Sequence, residues 1–105
     1  MIDRTEKLDK PVSADTLETA IREAAKEEEL EIDGQKMPEK NGCTQTNFYL
    51  KKRFRPTIEV KTYDRGNPLG FYCVHADNFF GFSPKNTVEK YISKVHNYLE
   101  KPSKI

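Results

Sequence analysis

Apolar residues recur along this chain with two different periods, and where the period changes marks out its elements. Leu17, Ala20, Ile21, Ala24 and Ala25 fall at helical spacing and make a thin apolar stripe, as expected for an amphipathic helix. Its start is predicted near Ser13 or Asp15. Asp15-Thr16-Leu17-Glu18 has the spacing at which two side chains cap free backbone N–H groups. The stripe ends at Glu27-Glu28-Glu29, whose charge opposes the macrodipole at a helix C-terminus and predicts fraying there. Leu30-Glu31-Ile32 alternates and predicts a short strand, ended by a turn at Asp33-Gly34. Residues 33–46, with Gly34, Pro38, Asn41 and Gly42, read as a long loop or weak hairpin.

The period then becomes two. From Asn47 to Arg55, Phe48, Leu50 and Phe54 point one way, interrupted by Lys52, while Tyr49, Lys51, Arg53 and Arg55 point the other. Between Thr57 and Tyr63, Ile58 and Val60 share a face opposite Glu59, Lys61 and Tyr63. In the turn 64–68, Gly66 supplies a positive φ and Pro68 stops strand pairing. Leu69 to Ala76 is apolar on both faces and predicts a central strand. Phe79-Phe80-Gly81-Phe82 predicts a short strand or packed loop. Ser83-Pro84 then opens a second helix, with Ser as the cap and Pro at the first helical position. Val88, Tyr91, Ile92, Val95, Tyr98 and Leu99 form its apolar face, and it should stop before Pro102.

Residues 1–11 are mostly charged, lack a period and end in Pro11, which predicts a mobile tail. The expected fold is a single α+β domain over residues 12–101, in the order α-β-β-β-α, with a short tail at 102–105. A three- or four-stranded antiparallel sheet carries both helices on its Phe48/Leu50/Ile58/Val60 face.

Composition narrows the core. Apolar residues are 35% of the chain and charged residues 33%, against about 45–50% and about 25% in ordinary domains. All eleven Phe and Tyr lie between residues 48 and 98. No apolar run nears the ~20 residues of a membrane span, and residues 1–7 lack the apolar core of a signal peptide. A cytoplasmic protein with reduced Cys43 and Cys73 is the expectation. Net charge is +1, but residues 1–40 hold 7 Lys/Arg against 12 Asp/Glu, while residues 41–105 hold 11 against 5. Such asymmetry points to a basic ligand-facing region or to attraction between the two halves.

Of the possible chemistries, binding is favoured. Cys43, Cys73, His75 and His96 lack the paired spacing of a metal site. No nucleophile–base signature and no phosphate-cradling glycine loop is present, and the few carboxylates of the C-terminal half fall at exposed or turn positions. The sequence therefore predicts a non-catalytic binding module with no cofactor, no small-molecule substrate and no membrane contact. Tyr49, Lys51, Arg53, Arg55, Lys61 and Tyr63 are expected to share one exposed sheet face, where cations can track phosphates and rings can stack on bases. The alternative is a protein-binding adaptor or inhibitor. It would use the acidic first helix, through Glu23, Glu27 and Glu28, or the patch of Phe79, Phe80 and Phe82.

Overall fold

The computed structural model describes residues 1–81 and 83–100. Five strands and two helices follow in the order β1 (Ile2–Val12), α1 (Ala14–Glu27), β2 (Glu31–Lys36), β3 (Thr44–Lys51), β4 (Ile58–Asp64), β5 (Leu69–Ala76) and α2 (Lys85–Glu100). The strands make one antiparallel sheet in the order β1-β5-β4-β3-β2. Both helices lie on one face. Leu17, Ile21, Val88, Ile92 and Val95 pack with Phe48, Leu50, Ile58, Val60, Tyr72 and Val74 in a single core, with Leu99 against its margin. The Tyr91 hydroxyl crosses between the helices and donates to the Ile21 carbonyl at 2.9 Å.

Several local expectations hold. Ser13 caps α1 by accepting from the Thr16 N–H at 3.1 Å. The Asp64 carboxylate accepts from the Gly66 N–H at 2.8 Å, and Gly66 has a φ of +86°. The Ser83 hydroxyl accepts from the Lys85 N–H at 3.2 Å at the start of α2. β5 is central, with partners on both sides.

Three expectations are corrected. Residues 1–11, read as a charged tail, form most of β1, which pairs with β5 from Ile2↔Ala76 to Lys7↔Phe71. The sheet therefore has five strands rather than three or four, and a strand precedes the first helix.

Asp33-Gly34 is not a turn but the middle of β2, paired with Tyr49 and Phe48. A Cβ on Gly34 would lie 3.2 Å from the buried Phe48 ring and 3.1 Å from the Arg22 guanidinium, which covers that ring at 5.6 Å from its centroid. The hairpin turn falls instead at Asn41-Gly42. Both have positive φ, +55° and +75°, and Lys40 and Cys43 exchange two backbone bonds across them. That is the twist-compatible hairpin turn which Asn-Gly favours.

Third, β3 stops at Lys51, so Arg53 and Arg55 are loop residues. Phe54, expected in the core, is 74% exposed.

Candidate functional site

β3 ends beside the C-terminus of α1, just before Lys52. Its Nζ reaches the last turn of α1, 3.4 Å from the Glu28 carbonyl oxygen and 3.6 Å from the Glu29 carboxylate. A cation there offsets the helix dipole and part of the acidic run. The backbone then turns, with the Arg55 N–H donating to the Lys52 carbonyl at 3.1 Å, and Pro56 cannot donate to a sheet ladder.

At the loop tip Phe54 has a φ of +62°. A bulky residue in that region is strained by roughly 1–3 kcal/mol. The Arg53 guanidinium lies 4.9 Å from the Phe54 ring centroid. The loop thus presents an aromatic ring among Lys51, Lys52, Arg53 and Arg55, all exposed.

A groove of about 620 Å³ adjoins it on the helix side. Lys52 and Arg55 line it together with Asn86, Thr87, Lys90 and Ser93 of α2, which supply hydrogen-bonding groups and a further cation, and with Leu30 and the carboxylates of Glu28 and Glu89. The loop between β5 and α2 leaves the same end of the sheet, because Ile58 pairs with both Leu50 and Ala76. It bears Phe80, 85% exposed at a φ of +50° and edge-on to Phe79 at 4.5 Å. Phe82 lies outside the described residues.

The six residues expected on one basic face divide. Tyr49, Lys51, Lys61 and Tyr63 do lie on the sheet face opposite the helices, while Arg53 and Arg55 sit beyond its end. The face itself is not basic. Tyr49 is flanked across the sheet by Glu59 and Asp33, and Lys61 Nζ is 4.0 Å from Glu59. His75, on the same face, stands 3.6 Å from Asp3 and 3.4 Å from Asp77. Phosphate is repelled from that half of the face. The sequence reading missed Phe54 and Lys90, and only an exposed-loop assignment would have singled out Phe54.

The acidic face of α1 is partly engaged: Glu27 meets Lys94 at 3.2 Å, and Glu28 closes the helix with its carbonyl facing Lys52. Cys43 and Cys73 are free thiols. Among the described residues no group of three or more His, Cys, Asp or Glu is placed to hold a metal ion, and no helix is long and apolar enough to cross a membrane. Comparison with protein-family models, with curated proteins and with solved structures returns no match.

Proposed function

We propose that this chain is a non-catalytic module that binds single-stranded nucleic acid through the β3–β4 loop rather than the flat of the sheet. The observation that carries this reading is the exposed, strained Phe54, with Arg53 stacked on it and Lys51, Lys52 and Arg55 around it. An exposed ring offers a platform for one unpaired base, worth ~1–3 kcal/mol, and the flanking cations neutralise adjoining phosphates. The groove lined by Arg55, Asn86, Thr87 and Lys90 continues the path for the backbone. Duplex DNA, whose bases are already stacked, gains nothing from Phe54.

Fluorescence anisotropy with a short labelled oligonucleotide tests this. Binding at low salt should weaken with a log–log slope of about −2 to −3, as expected for three or four phosphate contacts at ~0.7 each. Phe54→Ala should cost about tenfold, and Arg53→Glu with Arg55→Glu should remove binding. Lys61→Gln with Tyr63→Ser should leave it within about twofold, because those residues are off the path. No binding at low salt rejects the function; binding indifferent to the loop variants rejects the site.

A second reading rests on Phe80, the most exposed large apolar residue among those described. An adaptor anchoring a protein through that ring would form a nuclease-resistant complex, lost on Phe80→Ala and retained on Phe54→Ala.

A further inference from the structure

The sheet face turned away from the helices is uncovered among the described residues, and its charges are ordered along the strands. Near the β3–β4 loop, one row across the sheet reads Asp3, His75, Glu59, Tyr49 and Asp33 in register. Four residues further along the strands, about 13 Å at ~3.3 Å per residue, the row holds Lys7, Phe71, Tyr63 and Gln45. Here Tyr63 and Phe71 stack at 6.0 Å, and Phe71 is 41% exposed. One end of the face is therefore net acidic, Lys51 beyond the row being matched by Glu31 opposite it; the other carries one cation, Lys7, with aromatic rings and no carboxylate in its row. Between them run Thr5, Cys73, Lys61, Asn47 and Gln35.

We infer that this face binds a second copy of the chain, turned end over end about a two-fold axis lying along that middle row. Such a face is complementary to itself. The rotation lays the acidic row of each copy on the cationic, aromatic row of the other, at both ends at once, as an isologous contact requires. Asp3 comes opposite the second copy's Lys7, His75 opposite Phe71, and Tyr49 opposite Gln45. A two-fold axis along the strands would instead set acid against acid, so charge selects the orientation. Lys61 falls near the axis and faces its own copy, and Glu59, 4.0 Å from it within the chain, offsets part of that like charge.

Five strands ~4.8 Å apart and ~23 Å long give a footprint of about 550 Å² per copy. The total of about 1,100 Å² just exceeds the ~1,000 Å² floor for a specific interface. A reversible dimer follows rather than an obligate one.

Sedimentation velocity on the full chain, from micromolar to several hundred micromolar, tests this. A concentration-dependent dimer is expected, weakened by salt. Lys7→Glu and Asp3→Lys should each shift its dissociation constant upward by about tenfold, and the charge-swapped double variant should recover most of that loss. Both positions are exposed on the edge strand, and circular dichroism checks that each variant is folded. Facing sheets pack ~10 Å apart, too far for a disulfide, which needs Cα atoms within ~7 Å. A bismaleimide with a spacer of about 10 Å should therefore link Cys73 to its copy in a Cys43→Ser background, and fail in Cys73→Ser. A monomer at every concentration overturns the inference. So does a dimer that neither reversal weakens, one that the double variant does not restore, or one linked only through Cys43.

Discussion

Tyr91 and Tyr72 are both fully buried, yet only the Tyr91 hydroxyl has a hydrogen-bond partner among the described residues. The difference makes opposite predictions for the same substitution. Tyr91→Phe removes a buried bond and should cost about 1 kcal/mol in urea unfolding. Tyr72→Phe removes an unsatisfied polar atom and should be neutral or slightly stabilising. Burial holds both hydroxyls in the protonated form well beyond the ordinary tyrosine range; near Tyr72 the Glu6 carboxylate adds to this and Arg4 opposes it. In the unfolded chain both ionise near ~10. Stability should be intact below that pH and fall as pH rises above it, because only the unfolded state releases the protons. Unfolding midpoints between pH 8 and 11 check this, and Tyr72→Phe should flatten the fall. Phe54 shows where residue-level reading stops. Apart from Lys52, alternation runs on through Phe54 and Arg55, so pattern alone extends the strand. Where it ends, Lys52 is held at the α1 terminus, a contact between residues 24 apart that no local pattern carries.

Among the elements, α2, β3 and β4 were legible because each has one covered face and a polar opposite, and β5 because it is apolar on both faces. β1 was not. It is an edge strand, and the side it turns toward the helices carries Arg4 and Glu6 among Ile2 and Leu8. Those charges are satisfied by one another at 2.9 Å and by Glu89 of α2 at 3.8 Å. Half-wet strands lose the apolar alternation that identifies strands. α1 begins at the residue whose hydroxyl accepts the Thr16 N–H, so Ser13→Ala should cost about 1 kcal/mol. Asp15→Ala should cost less, since Asp15 lies inside the first turn and acts only on the dipole. Thermal unfolding of the two variants separates these contributions.

For the whole molecule, the acidic and basic halves of the sequence do not form separate acidic and basic lobes. Lys52 with Glu29 and Lys94 with Glu27 join the two halves, and the first strand, itself balanced between Asp3, Glu6, Asp9 and Arg4, Lys7, Lys10, lies beside β5. The surplus left by this mixing is local, at the loop between β3 and β4. The candidate site was thus half legible: its cations stood out in the sequence, but their split between sheet and loop depends on where β3 ends. An end-over-end dimer would place its two Phe54 loops at opposite ends of the pair. Oligonucleotides long enough to bridge them should bind more tightly than short ones, and Lys7→Glu should remove that gain without changing affinity for a short strand.

β1 also imposes an order of assembly. Its partner is β5, so Ile2 pairs with Ala76, across the full span of the sheet-forming sequence. The meander from β2 to β5 can close locally, whereas β1 must bridge a long loop, and distant contacts form slowly. Until then β5 carries a bare edge, and Ile2, Leu8 and Val12 have no sheet to join. Ile2→Ala and Leu8→Ala should therefore speed unfolding while leaving the refolding rate nearly unchanged. Val60→Ala, in the middle of the meander, should slow refolding. The strand that completes the sheet is the last to protect it.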